Sequence, residues 1–193
     1  MKKVIALIAM CVFILMGCAD KESSSQKSSS TAPPPKGSKQ LEQIQILDDK
    51  VSVLIPKGFE IMSEEMAATK YPGENRPTLI YTDEDGSINV AFNHLPTPIS
   101  EDELDKFVAA MKKQFEKVHP SATWYDDGVT TINNKSVGYL ELLTPAVDTN
   151  VYNLMFMTEV DGRILLGTFN CTEEQMAEWR LSAKEIMHSL QEK

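Results

Sequence analysis

An apolar run of 13 residues, Val4 to Met16, stops at Gly17-Cys18 and limits what the rest of the chain can be. Behind Met1-Lys2-Lys3 it has the length of a secretory signal core, roughly 7–15 residues, and falls short of the ~18 that a spanning helix needs. Export permits disulfides, yet of the three cysteines Cys11 lies inside the run and Cys18 at its end, which leaves Cys171 alone. Residues after the leader must therefore be held by an apolar core, with no intrachain bridge. Cys171 is expected to be a buried small apolar residue and not a reactive thiol.

Leu15-Met16-Gly17-Cys18 resembles the lipobox read by the lipoprotein-processing peptidase, with a branched residue three before the cysteine and a small one directly before it. That resemblance implies cleavage between Gly17 and Cys18 and lipidation of Cys18, whose thiol takes a diacylglyceryl group before its freed amine takes a further acyl chain such as palmitate. Several acyl chains anchor stably where a single one is marginal. The expected location is the cell membrane, with the folded part on its extracytoplasmic side.

The expected organisation is a signal peptide over 1–17, a lipidated cysteine with a tether over 18–40, and one α+β domain over 41–193. From Ala19 to Gln40 the chain is rich in Ser, Lys and Pro and has no large apolar residue, so it cannot build a core and reads as a spacer. As a flexible coil it would reach about 25 Å. The tether is slightly basic, whereas residues 41–193 hold 13 Lys and Arg against 26 Asp and Glu, a net of −13. Such acidity argues against a nucleic-acid partner and against a domain lying flat on anionic lipid.

Within 41–193 the apolar spacing alternates between two periods. Ile44 and Ile46, then Val51, Val53 and Ile55, predict a hairpin turning at Asp48-Asp49-Lys50. Ser63-Glu64-Glu65-Met66 predicts a short capped helix ended by Tyr71-Pro72-Gly73. A second hairpin, Thr78 to Tyr81 and Ser87 to Phe92, turns at Asp85-Gly86. Ser100-Glu101-Asp102-Glu103 is a capping box, and Leu104, Phe107, Val108, Met111, Phe115 and Val118 then recur on one helical face up to Pro120. Four strands follow, Ala122 to Ile132, Lys135 to Leu143, Val151 to Val160 and Arg163 to Phe169, turning at Asn133-Asn134 and Asp161-Gly162. Thr172-Glu173-Glu174-Gln175 opens a terminal helix with Met176, Trp179, Ala183, Ile186, Met187 and Leu190 on its apolar face. This order predicts an α+β fold, a largely antiparallel sheet flanked by helices.

The strand running into Pro56-Lys57-Gly58-Phe59, the Val90-Ala91-Phe92 strand before the long helix, the Asn134-Lys135 turn before Gly138-Tyr139 and the closing helix from Ala183 to Leu190 resemble the PsbP-like fold. The lipobox and tether point within it to the DcrB-type bacterial envelope lipoproteins. That family shares no catalytic residues, so the resemblance supplies none.

No nucleophile elbow, zinc-protease, dithiol, phosphate-loop or dinucleotide motif is present. His94, His119 and His188 have no ligand spacing and read as locally bonded histidines. Asp83-x-Asp85-Gly86 resembles part of a calcium loop, but the register puts Tyr81 and Phe92 at ligand positions, so a solvated turn is the better reading. Asp126-Asp127-Gly128 reads as a turn or bulge, not as an acid/base pair. Met155 and Met157 could offer thioethers to copper(I), but with apolar residues on both faces of their strand they read as core. No catalytic residue, cofactor or metal site is expected. The expected role is a non-catalytic lipoprotein that binds another envelope protein through an acidic surface or a groove beside its sheet, with small-ligand or lipid binding as the alternative and, behind that, an enzyme with an unrecognised site, which would need a deep pocket joining His94 or His119 to carboxylates.

Overall fold

Strand-forming and helix-forming periods settle into two antiparallel sheets and three helices in the computed structural model, which describes residues 39–73 and 76–193. The leader, Cys18 and nearly all of the tether lie outside the described residues. The elements are β1 (Leu41–Ile46), β2 (Val51–Pro56), β3 (Glu60–Ile61), α1 (Glu64–Lys70), β4 (Leu79–Thr82), β5 (Asn89–Pro98), α2 (Leu104–Val118), β6 (Thr123–Ile132), β7 (Lys135–Pro145), β8 (Asn150–Val160), β9 (Arg163–Thr172), α3 (Glu173–His188) and β10 (Gln191–Glu192). Seven strands form one sheet in the order β3-β4-β5-β9-β8-β7-β6, and β1, β2 and β10 form a second.

The turns explain the hairpins. Asn133 and Asn134 take φ of 48° and 65°, and Asp161 and Gly162 take 52° and 72°. Two successive positive φ values match the twist of the flanking strands, and Asn, Asp and Gly adopt them at least cost. The first turn departs from expectation, because Leu47 at φ 55° precedes Asp48 and Asp49 in the same left-handed region. The short strands β3 and β10 carry no alternating pattern and come from tertiary pairing, to β4 and to β2. Ser100 caps a 3-10 turn, Glu101–Glu103, that runs into α2.

The central strands are buried on both faces, as the two-sided apolar pattern of β8 implies. On one face Val137, Tyr152, Leu154, Phe156, Phe169 and Cys171 pack against Trp179, Ala183, Ile186 and Met187 of α3 and against Val51, Val53 and Ile55 of β2. On the other, Leu140, Leu142, Met155, Met157, Ile164 and Leu166 pack under Leu104, Val108, Met111 and Phe115 of α2. Val118, expected on the α2 apolar face, is instead exposed in its last turn. Helix α1 and Tyr71 cover Ile80 and Ala91 at the β4 end of the same face. Close packing fixes two glycines. A Cβ at Gly138 would collide with Val108 of α2, and one at Gly167 with the Phe156 ring. The described chain begins on α3, where the Lys39 N–H donates to Ser182 Oγ at 2.9 Å and its ammonium pairs with Glu178 and lies 4.9 Å from the Trp179 ring centre.

Candidate functional site

At one end of the large sheet, β3 pairs only with β4, and its outer edge has no partner strand among the described residues. Beside it lies a half-open groove of about 500 Å³, walled by β3, the start of α1 and the end of β4. Ile61, Met62 and Met66 supply its apolar part and Glu60, Asp83 and Glu84 its acidic part. Ile61 is 64% exposed. Lone exposed apolar residues are ordinary, but one on an open strand edge above a groove is a place where an extended segment can add. Asp83 has a structural task, since its carboxylate accepts from the Ile88 N–H at 3.0 Å and the Ser87 hydroxyl at 2.9 Å and so forms the turn. Glu60 and Glu84 are exposed and leave their charge to solvent or to a partner.

The residues singled out in the sequence do not converge. His94 is fixed between the Val160 carbonyl, 3.0 Å from Nε2, and Arg163, 3.2 Å from Nδ1, a pair of contacts that the Nε2–H tautomer satisfies. His119 caps α2 and stacks on Phe115, and burial lowers its pKa. His188 lies at the end of α3, with Nδ1 2.7 Å from the Lys184 carbonyl. Asp126 and Asp127 sit at a bulge in β6, where the pairing to β7 shifts between Trp124 and Asp126, and Asp127 binds Lys112 at 2.6 Å. Met155 and Met157 are buried under α2. Cys171 is fully buried, and burial pushes its thiol up to about 12. Among the described residues no three His, Cys, Asp or Glu side chains are grouped to hold a metal ion, and no helix is long and apolar enough to cross a membrane.

One cluster has no sequence signal. Glu141 of β7 is 0% exposed yet charged. Its Oε1 accepts from Arg180 Nε at 2.6 Å and from the Tyr152 hydroxyl at 2.8 Å, and Oε2 lies 3.0 Å from Lys184 Nζ. Burial works to raise its pKa, but the bonds from Arg180, Tyr152 and Lys184 outweigh it and hold the carboxyl below its ordinary value. Tyr152 moves the other way, raised by burial and by the carboxylate that accepts its proton. Alternation along β7 gives no reason for a carboxylate between Leu140 and Leu142. Only α3, more than thirty residues downstream, brings the cations to it.

A second unannounced polar group joins β5 to β9. Asn89 and Asn170, both buried, bond side chain to side chain at 3.0 Å, and Asn89 also donates to the Gly86 carbonyl at 3.1 Å.

The architecture matches a known shape. The solution structure of cyanobacterial PsbP (CyanoP) from Synechocystis sp. PCC 6803 aligns with a TM-score of 0.57 and 12% identity over 84% of this chain and 98% of that one. The fold is PsbP-like. LpqN, involved in cell envelope biogenesis of Mycobacterium tuberculosis, aligns at a TM-score of 0.48 and 13% identity over 78% of this chain and 89% of that one. PA94 of Pseudomonas aeruginosa, a protein of unknown function, aligns at 0.46 and 12% over 81% and 99%. No family model matches the chain, and no curated protein matches its sequence. At 12% identity a PsbP-like shape carries no activity or partner with it.

Proposed function

We propose that this chain is a non-catalytic, DcrB-type envelope lipoprotein, anchored through Cys18 on the extracytoplasmic side of the cell membrane, that docks another envelope protein in the groove beside β3. The carrying observation is the coincidence of an open strand edge, an exposed Ile61 and an acidic rim of Glu60 and Glu84 around one groove. An extended segment can add to β3 by main-chain hydrogen bonds, seat an apolar side chain against Ile61 and Met66, and place Lys or Arg against the rim. Tethering raises the effective concentration of the domain near membrane partners, so a weak interface of this size can still be occupied.

The test is in-cell photo-crosslinking from position 61 of the full chain. One reproducible protein adduct, lost in Glu60→Lys/Glu84→Lys, is the expected result. No adduct, together with a lipid or small molecule that copurifies with the chain, overturns the docking reading in favour of ligand binding. The anchor is tested separately: Cys18→Ser should leave the detergent phase and mature at a different size, and unchanged partitioning would remove the lipoprotein reading.

A further inference from the structure

We infer that the β3 groove takes up a juxtamembrane segment: an extended stretch, carrying an apolar residue and a Lys or Arg, of a protein embedded in the same membrane that anchors this chain. This rests on the anchoring and docking reading above and names the class of partner within it.

The carrying observation is where the tether joins the domain. Gln40 ends the tether, and its carbonyl accepts from the Lys57 N–H at 2.9 Å, one residue beyond the Leu41 and Pro56 pair of β1 and β2. The next residue, Gly58, lines the groove, and its N–H donates to Glu42 Oε1 at 2.9 Å. A second path runs through the rings. The Lys39 ammonium lies 4.9 Å from the Trp179 ring centre, and Trp179 packs at 5.9 Å on Phe59, which sits between the groove-lining Gly58 and Glu60. The chain therefore enters the domain at the edge of the groove, and Ser182 and Glu178 hold Lys39 there.

Size turns this adjacency into a height above the bilayer. Residues 41–193 should have a radius of gyration of about 15 Å, so the domain is about 40 Å across. Residues 19–38 separate Cys18 from Lys39, a typical span of about 25 Å as a coil and about 70 Å at full stretch. A site on the far side of the domain would stand up to about 40 Å further out, whereas the groove shares the reach of the tether itself. Effective concentration is highest where the r.m.s. length of a tether matches the span, which favours a partner segment close to the membrane.

Chemistry sets aside the other occupants at that height. Glu60 and Glu84 on the rim repel anionic headgroups, and a second copy brings another net of −13. The tether of this chain has lysines but no large apolar residue to seat against Ile61 and Met66, and Pro33-Pro34-Pro35 has no N–H to give to β3. A segment of an embedded protein meets neither objection. Lys and Arg are biased toward cytoplasmic loops, so an acidic rim on the other side selects the few segments that carry one.

The experiment places a photo-crosslinker at position 61 of the full chain on three tethers: the native one, one with a second copy of residues 19–38 inserted after Ser38, and one lacking residues 22–31. Detergent partitioning checks that all three are anchored alike, and mass spectrometry maps the crosslinked peptide. The expected peptide lies within about 20 residues of a membrane-spanning segment, the length of extended chain that equals the full reach of the tether. Adduct yield should fall about threefold on the doubled tether, following the −3/2 power of length, and should not fall on the shortened one. A peptide from a protein with no spanning segment, from the tether or from a second copy overturns the inference, as does a yield that ignores lengthening or is lost on shortening. A soluble protein adduct that still needs Glu60 and Glu84 would leave the docking reading standing without its membrane partner. No protein adduct on the native tether would remove both.

Discussion

Leu140 and Glu141 are neighbours on β7, both 0% exposed, and they face opposite sides of the same sheet. Under α2 the fully buried side chains are Leu, Val, Met, Ile and Phe, with Trp124 and Ala122 at the margin, and Met155 and Met157 fill the space between branched side chains. Under α3 the sheet meets rings: Phe59 and Phe169 against Trp179, Tyr152 against Phe169, Phe92 against Phe156. That second face also holds the buried charge. The contrast shows that equal burial does not mean equal energetics, since one face rests on apolar area and shape and the other also on compensated charge.

The largest effect that separates the faces should come from stripping the cations. Arg180→Met/Lys184→Met leaves the Glu141 carboxylate buried and unpaired, and should cost about 3–5 kcal/mol in denaturant unfolding. On the other face Leu140→Ala should cost about 2–5 kcal/mol by transfer and cavity terms, with no dependence on pH. A loss of Arg180 and Lys184 that costs less than 1 kcal/mol would mean that the carboxylate finds water and that the two faces do not differ as described.

Overpacking probes geometry instead of charge. Gly138→Ala pushes a methyl against Val108 and Gly167→Ala against Phe156, and each should cost about 1–3 kcal/mol. The α2 contact involves a helix that can shift outward, whereas Phe156 is 1% exposed and held edge-on by Phe92 in the buried cluster on the α3 side, so Gly167→Ala should be the worse of the two in thermal unfolding.

The pH dependence should belong to the α3 face. The Glu141 pKa is lowered on folding, so its contribution to stability is present above the ordinary carboxylate value of 4.5 and is lost as pH falls toward the folded value. Wild-type stability between pH 5 and 3 should therefore fall more steeply than that of Glu141→Gln, measured by urea titration at each pH. Identical slopes would assign the acid sensitivity to other carboxylates.

Smallest in effect should be the double change Glu141→Leu/Tyr152→Phe, because the two cations it releases are more than one-third exposed and can hydrate, and no buried hydroxyl is left without its acceptor. A change within about 1 kcal/mol of wild type is expected, the reverse of removing the cations. Cys171 should stay unmodified by a thiol reagent in the native state, read by mass spectrometry at that residue, since its pKa is raised to about 12 by burial.

The α+β class, the long helix under its capping box, the two-sided β8, the Asn133-Asn134 and Asp161-Gly162 turns and the fate of Cys171 were all determined by local residues. Period, cap and turn chemistry act within a few positions, and so they can be read along the chain. The separation of β1 and β2 into a second sheet with β10, the two-residue β3 and the groove beside it were decided by tertiary structure, because two-residue strands have no period to read. Glu141 shows the division most clearly. In sequence it is a charge interrupting an apolar strand, and only the docking of α3 places Arg180 and Lys184 on it, because a buried carboxylate is stable solely where distant cations and a hydroxyl converge.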